Sequence, residues 1–190
     1  MAGNGGTEKV LSFWFDDVAG EDFETRKEIW FGKNAGFDAD IQKRFGPLRA
    51  DAAAGKLTDW ERSARGALAL VIVLDQFPRN IFRGTPRAFA TDAMALATAK
   101  RAIESGFDRR LRPVERLFLY LPFEHAESLA DQERSVALSK TLDDAGSLDY
   151  AERHRAIIAR FGRFPHRNAI LGRASTPEEI AFLAEPGSSF

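Results

Sequence analysis

Apolar stretches of helical length follow one another along the whole chain, and each is bounded by Gly, Pro or a helix-capping residue. The run from Ala67 to Leu74 is apolar on every side, and its Ala and Leu content is typical of a buried helix rather than a strand. Two-residue alternation of apolar and polar residues is not convincing anywhere in the sequence. The chain is therefore predicted to be all-α, and its 190 residues without a long linker predict one domain.

Start and stop signals divide the chain into about nine helices. The strongest start signals are two capping boxes, Thr58–Glu61 and Thr176–Glu179, and the Thr85-Pro86 pair. We expect a flexible segment at 1–7, a helical domain over 8–185 and a tail at 186–190. The predicted helices are 7–15, 23–31 ended by Gly32, one from Asp38 that is broken or kinked at Gly46-Pro47, 58–77, 85–106, one from Pro113 that contains Pro122, one from Ser128 or Asp131 to Gly146, one from Asp149 (capped with Glu152) to Phe164, and a short one from Thr176.

Composition narrows the classes of function. The net charge is −1, so the surface as a whole does not attract nucleic acid or anionic lipid. Cysteine is absent, which excludes disulfides, thiol catalysis and thiolate metal sites. No apolar run approaches the roughly 20 residues of a membrane span, and the N-terminus lacks the apolar core of a signal peptide. We therefore expect a cytoplasmic protein without a membrane partner, for which a small anionic molecule or a peptide or protein is favoured over nucleic acid as the partner.

Two near-copies of one string mark a candidate site. The first is Phe77–Asn80 and the second is Phe164–Asn168, and each follows an apolar helical stretch. A third apolar stretch, Leu117–Phe123, ends in Glu124-His125. If consecutive helices pack antiparallel, these three stretches point the same way and their polar ends share one neighbourhood. The candidate ligand-binding residues are Asp75, Gln76, Arg79, Asn80, Arg83, Glu124, His125, Arg163, His166, Arg167 and Asn168.

The same residues also have a purely structural interpretation. Arginines near helix C-termini complement the helix dipole, and Asp75 and Glu124 can serve as their salt-bridge partners. Likewise, the aromatics of Phe13–Phe15 and Trp30-Phe31 favour a core seam over an exposed platform. No zinc, EF-hand, phosphate-loop, dinucleotide or hydrolase motif is present, so we predict neither a metal nor a cofactor.

Three functions remain open. The leading hypothesis is a binding module whose arginines hold a small anionic molecule or a peptide carboxylate. The second is a small enzyme in which Glu124 or His125 is the acid or base and arginines stabilise developing negative charge. The third, and weakest, is RNA binding through residues 150–175, which contain six arginines and one glutamate. Residues 16–40 contain eight acidic and three basic residues, so the two segments could instead attract each other.

Four strings of the chain resemble an uncharacterised bacterial family, a domain of unknown function within the tetratricopeptide-like helical superfamily. The resemblance implies a single array of antiparallel helices, similar to an α-solenoid. It implies no activity, so no catalytic residue can be carried over. The strings are Val10–Phe15, Leu74–Thr85, Leu121–Gln132 and Arg160–Asn168, within a resemblance that runs from about residue 8 to about residue 184.

Overall fold

The fold consists of helices packed on helices. In the computed structural model, residues 4–16 and 23–189 are described, and within these ranges no β-strand is present. The all-α prediction is therefore confirmed. The α-helices are α1 (Asn4–Leu11), α2 (Phe23–Phe31), α3 (Ala35–Ala53), α4 (Ala64–Val71), α5 (Phe77–Ile81), α6 (Asp92–Glu104), α7 (Pro113–Glu124), α8 (Leu129–Ser139), α9 (Ala145–Phe161) and α10 (Pro177–Leu183).

Two short π-helical segments and several 3-10 turns join these helices. Ser12–Asp16 extends α1, and Ile72–Gln76 joins α4 to α5 without a break. When α4, Ile72–Gln76 and α5 are taken as one continuous helix, the described residues form nine helices, as predicted. The 3-10 turns are Thr58–Arg62, Pro86–Phe89, Asp108–Arg110 and Pro165–Arg167.

Several predicted helix starts are wrong because their polar side chains have other partners. Thr58–Glu61 lies in a 3-10 turn, and Glu61 binds Arg101 of α6 instead of capping the helix that follows. The cap of α4 is Ser63, whose hydroxyl accepts from the Gly66 N–H. Thr85 donates to the Phe82 carbonyl oxygen, and α6 starts later, at Asp92. Asp144 caps α9 in place of Asp149.

The chain also departs from the prediction at three helix boundaries. From Asn4 onwards, the expected flexible segment 1–7 belongs to α1, in which Thr7 is internal and buried. Helix α3 continues through Pro47, so of the two alternatives at Gly46-Pro47, a break or a kink, the break is wrong. Helix α8 ends at Ser139, before Gly146. By contrast, the limits of α2, the start of α7 at Pro113 and the capping box at Thr176 are confirmed.

The main hydrophobic core is centred on aromatic rings from distant parts of the chain. Trp14 is wholly buried, and its ring packs against Phe77 at 5.8 Å and edge-on against Phe118 at 5.6 Å. This confirms that the Phe13–Phe15 aromatics form a core seam. Phe31 is the exception, since 51% of its surface is exposed.

A second, smaller hydrophobic cluster lies at the C-terminal end of the fold. Ile157, Ile158 and Phe164 form it, and Phe161 and Phe182 pack against it. Helix α9 ends at Gly162, whose φ of 70° is left-handed and whose N–H donates to the Ile158 carbonyl oxygen. Side chains from the helices of the two clusters meet in a polar layer, which contains the candidate site. None of the helices in the described ranges has the length and apolarity to cross a membrane.

Candidate functional site

Asp75 lies in the π-helical segment that interrupts the α4–α5 helix. The wider turn is closed by the N–H of Phe77, which donates to the carbonyl oxygen of Ile72 five residues earlier. The next residue, Pro78, lies in the first turn of α5 and has no N–H with which to form a helical hydrogen bond. Proline is tolerated at such a position. The first of the repeated strings thus continues the helix, whereas the second, at Pro165–Arg167, forms a 3-10 turn. Such π-helical insertions are frequent at functional sites.

The Asp75 carboxylate joins two of the three predicted strings. It is completely buried, and one of its oxygens lies 2.8 Å from His125 Nδ1 and 3.0 Å from Arg79 Nη1. Its other oxygen accepts from the Gln76 side-chain amide. The prediction that the ends of these apolar stretches share one neighbourhood is therefore confirmed for Asp75 and His125.

At neutral pH the Asp75 carboxylate is ionised and the His125 imidazole is neutral. Burial alone would raise the pKa of Asp75, but the Arg79 guanidinium and the contact with His125 hold that pKa below its usual range. Burial, together with the positive charge of Arg79, lowers the pKa of His125. A neutral imidazole therefore faces an ionised carboxylate, which can only accept a hydrogen bond, so the His125 proton is on Nδ1.

Arg79 is fixed by a second carboxylate that the sequence did not indicate. Its two terminal nitrogens donate to the two oxygens of Asp92, each at 2.9 Å. Burial alone would lower the pKa of Arg79, but Asp75 and Asp92 outweigh it and raise the pKa. A paired fork of this kind positions the guanidinium rigidly.

Arg167 brings the third predicted string to the same place. Its Nη1 donates to the carbonyl oxygen of His125 at 3.0 Å and lies 3.7 Å from the Asp92 carboxylate. The rings of Phe89 and Phe164 lie against its guanidinium carbon, at 4.8 and 4.4 Å. Arg167 is only 7% exposed, and its buried Nε has no hydrogen-bond partner among the described residues. Burial, followed by the charge of Arg79, lowers its pKa to about 10, so it stays protonated at pH 7.

Glu124 and His154 form a buried neutral pair beside Asp75. The Glu124 carboxylate oxygen lies 3.5 Å from His154 Nδ1, which also contacts the Tyr150 carbonyl oxygen at 2.8 Å. Burial, followed by the charge of Asp75, raises the pKa of Glu124 to about 8. Burial lowers the pKa of His154 to about 3. At pH 7 this carboxyl is therefore a carboxylic acid that can donate a proton.

These contacts define what we call the central cluster. Ionised acids and arginines lie at one end of it and neutral groups at the other. Its residues come from four helices (the α4–α5 helix, α6, α7 and α9) and one 3-10 turn. Strongly shifted pKa values concentrated in one place are typical of functional sites. The members of the central cluster are Asp75, Gln76, Arg79, Asp92, Glu124, His125, His154 and Arg167.

His166 lies next to the central cluster. Its ring is half-buried against Phe164, at 5.5 Å between ring centroids. Burial, followed by the charge of Arg167, lowers its pKa to about 4. The charges of His125 and His166 contribute to the lowered pKa of His154, so all three histidines of the chain act on one another.

Two other predicted ligand residues lie in a separate structural network. The side-chain amide of Asn80 donates to Asp38 at 2.8 Å, and Arg83 contacts the same carboxylate at 3.1 Å. Arg83 also donates to the carbonyl oxygen of Gly32. These bonds tie α5 to α3 and to the end of α2, which agrees with the structural interpretation of Asn80 and Arg83.

Arg163 and Asn168 are likewise engaged away from the central cluster. Arg163 donates to both oxygens of Glu179, at 2.6 and 2.8 Å, and to the Ala174 carbonyl oxygen. Asn168 donates to Ser175 and Glu179. These bonds anchor α10 to the end of α9.

Several arginines of residues 150–175 pair with carboxylates that lie next to them in the fold. Arg160 bonds Glu178 and Arg173 bonds Glu127. These partners lie outside the acidic segment 16–40, so the described contacts do not support attraction between the two charged segments. Arginines that are already paired in this way also give no support to RNA binding.

Neither of two other surface features coincides with the central cluster. One cleft is lined by Leu70, Leu74, Met94 and Arg101, among others, and a second by Val114, Leu117 and Leu142, among others. Across residues 4–16 and 23–189, no group of three His, Asp or Glu side chains has the geometry to hold a metal ion.

Two members of the central cluster, Asp92 and His154, were not predicted from the sequence, and neither was Phe89, whose ring lies against Arg79 and Arg167. Asp92 begins α6, and an antiparallel helix starts on the side where the preceding one ends. The same parity that grouped the C-terminal ends could therefore have found this N-terminal end. His154 lies inside α9 rather than at its end, and Phe89 lies in a 3-10 turn, so position along the helices gave no signal for either.

Comparison with known proteins identifies a family and a similar structure but no activity. A family described as "Bacterial protein of unknown function (DUF924)" matches residues 10–187. A solved structure from Agrobacterium tumefaciens, titled as a protein of unknown function (ATU0120), is 43% identical in sequence with a TM-score of 0.86. The alignment covers 95% of this chain and 97% of that one. A search of the curated proteins finds no match.

Proposed function

We propose that this chain, which belongs to the DUF924 family of bacterial proteins of unknown function, binds a small anionic molecule at the central cluster. The observation that carries the proposal is the buried Arg167, whose Nε donor has no acceptor among the described residues. A buried donor without a partner costs roughly 1–3 kcal/mol. A ligand oxygen that accepts from Nε would remove this cost.

The charges around Arg167 support an anion rather than a neutral ligand. Asp92 is the nearest carboxylate, but both of its oxygens already accept from Arg79. Arg167 lies 3.7 Å from Asp92, which is beyond hydrogen-bond distance. The charges of Glu127 and Asp75 also act on Arg167, but among the described residues the hydrogen bond of its guanidinium goes to a backbone carbonyl oxygen and not to a carboxylate. A bound anion would supply a charged acceptor.

The chemistry of the guanidinium favours a carboxylate or a phosphate. Both groups accept two parallel hydrogen bonds from an arginine. The ring of Phe164 lies against the guanidinium at 4.4 Å and holds it in one plane, which reduces the entropy lost on binding. Phe89 is only partly buried and covers both Arg167 and Arg79, so its displacement would open the site to a ligand.

We make two further proposals, one about the superfamily of the fold and one about the location of the protein in the cell. We place the fold in the tetratricopeptide-like superfamily because consecutive helices from α6 to α9 pack on each other in chain order. We also propose that the protein is cytoplasmic, which agrees with a sequence that contains no cysteine and so no disulfide. A terminal carboxylate of a peptide has the same chemistry as a small carboxylate and is a second source of the ligand.

The experiment is a thermal-shift titration of the purified protein with inorganic phosphate and with malonate. A ligand at 100 times its dissociation constant adds about 2.7 kcal/mol. For a chain of this length the melting temperature then rises by roughly 5–11 °C. Arg167→Lys keeps the charge but loses the fork, so the rise should shrink strongly.

Arg160→Met is the matched control, because it removes an arginine that pairs with Glu178 on the surface. The control should respond to phosphate and malonate as the wild type does. Circular dichroism establishes that each variant is folded. An equal response in Arg167→Lys and the wild type, or no response of the wild type to either anion, would refute the proposal.

A further inference from the structure

His125 is held in an orientation that leaves one ring nitrogen available for chemistry. Its Nδ1 proton is donated to the buried Asp75 carboxylate at 2.8 Å. Within the described part of the chain, no other group forms a hydrogen bond with its Nε2. The side chain is 15% exposed while Asp75 is fully buried. A carboxylate that fixes the tautomer of a histidine from behind, as here, makes the outer nitrogen the reactive one.

The groups around His125 match the needs of phosphoryl transfer. Two guanidinium groups lie close to His125: Arg79 contacts the same Asp75 oxygen as His125 Nδ1 does, and Arg167 donates to the His125 carbonyl oxygen at 3.0 Å. Their positive charges next to the imidazole could neutralise phosphate oxygens. Glu124 is the preceding residue, and its carboxyl is buried beside the neutral His154. A carboxylic acid that stays protonated at neutral pH can give its proton to a leaving oxygen.

We infer that the central cluster hydrolyses phosphate monoesters, with His125 Nε2 as the nucleophile, Arg79 and Arg167 as the phosphate-holding groups and Glu124 as the acid. The inference rests on the proposed anion site and names the class of its ligand. Asp75 is a positioning residue, since it acts through His125.

The reaction consumes only the phosphate ester and water. The lone pair of His125 Nε2 forms a bond to phosphorus while the bond from phosphorus to the ester oxygen breaks. The leaving oxygen takes the proton of the Glu124 carboxyl, and the alcohol departs. Water then attacks phosphorus, giving one proton to the Glu124 carboxylate, and the nitrogen–phosphorus bond breaks. Inorganic phosphate leaves, and both side chains return to their starting states.

Burial keeps Glu124 protonated, with a pKa of about 8, and keeps the His125 imidazole neutral. Four charged groups face Glu124 and His125: Asp75 and Arg79 from the α4–α5 helix, Asp92 from α6 and Arg167 from the turn after α9. The neutral His154 of α9 also faces them. The turnover rate should therefore fall as pH rises through the Glu124 pKa.

The test compares two substrates that differ in their leaving group, p-nitrophenyl phosphate and β-glycerophosphate. His125→Asn should lose at least a hundredfold in kcat for both. Glu124→Gln should slow β-glycerophosphate at least tenfold more than p-nitrophenyl phosphate, because p-nitrophenolate leaves without a proton. Wild-type protein quenched during turnover should contain an acid-labile phosphohistidine, which is absent from His125→Asn. Asp75→Asn should lower kcat by a larger factor than it changes KM, because Asp75 acts mainly by orienting His125.

Arg160→Met is again the control, and it should keep wild-type turnover and wild-type phosphoenzyme. Turnover that survives in His125→Asn would overturn the inference by showing that the activity comes from elsewhere. If the wild type hydrolyses neither substrate while inorganic phosphate still raises its melting temperature, catalysis is refuted and the anion site stands. If phosphate gives no shift either, both proposals fail.

Discussion

Asp75 and His125 are fifty residues apart in the sequence, yet the Asp75 carboxylate lies 2.8 Å from His125 Nδ1. One residue is in the π-helical segment after α4 and the other directly follows α7. The contact joins two helices of the main core at a point where Arg167 also arrives from the second, smaller cluster. Packing of the helices, the ionisation of the site and the proposed chemistry therefore depend on the same few side chains.

Glu124→Gln should change how stability depends on alkaline pH. The folded-state pKa of Glu124 is about 8, above its unfolded value, so its contribution to stability is fully present below about pH 4.5 and is lost as pH rises through 8. Between pH 6 and pH 9 the wild type should lose on the order of 1–3 kcal/mol more than the variant. Urea unfolding at the two pH values measures this difference, and parallel losses would contradict the prediction.

His166→Gln should make the protein less sensitive to acid. The folded-state pKa values of His166 and His154, about 4 and about 3, lie below the unfolded value of 6.5. Their contribution is present above pH 6.5 and is lost as pH falls towards 4, because the unfolded chain binds the protons. The free energy of unfolding of the variant should fall less steeply between pH 6.5 and pH 4. A slope as steep as that of the wild type would rule out His166 as a source.

Phe89→Ala should increase the affinity for phosphate several-fold. The Phe89 ring lies over the guanidinium groups of Arg79 and Arg167, so its removal exposes both to an anion. Isothermal titration calorimetry with inorganic phosphate measures the dissociation constant. Phe82→Ala is the matched control, since its ring lies against Arg49 and Arg87 instead. Weaker binding in Phe89→Ala than in Phe82→Ala would show that Phe89 belongs to the ligand contacts rather than to a cover.

Asn80→Ala should destabilise the fold without affecting the site. The buried Asn80 amide donates to Asp38, and its loss should cost about 1–2 kcal/mol. The thermal response to phosphate should stay at the wild-type value because Asn80 does not contact the central cluster. Chemical unfolding and the phosphate titration together decide the point. A reduced phosphate response in a folded Asn80→Ala protein would return Asn80 to the ligand site.

Gln132→Leu should weaken the end of α7. The fully buried Gln132 amide donates to the carbonyl oxygens of Glu124 and Ala126, at 2.6 and 2.8 Å, just before and after His125. Leucine leaves these acceptors without a donor, which should cost about 2–3 kcal/mol. Urea unfolding measures the loss, and amide hydrogen exchange should speed up at residues 124–126. Unchanged exchange there would mean that other groups hold the turn.

The sequence by itself determined the helical class, the number of helices and, except for Phe31, the burial of the Phe13–Phe15 and Trp30-Phe31 aromatics. These properties follow from local periodicity and from residue types that bury apolar surface wherever the chain goes. It also pointed to Asp75, Gln76, Arg79, Glu124, His125 and Arg167, because antiparallel helices bring alternate ends to one side.

Only the tertiary structure decided which polar side chains pair with which. Glu61 could cap its own helix or bind Arg101, and it binds Arg101 because α6 packs close to it. Asn80 and Arg163 looked like site residues but face Asp38 and Glu179 instead. His154 joined the site without a sequence signal, and Asp92 joined it with only the position of its helix start as a signal. A charged side chain can reach many partners of similar energy, so the choice among them follows from the packing of helices that are distant in the chain.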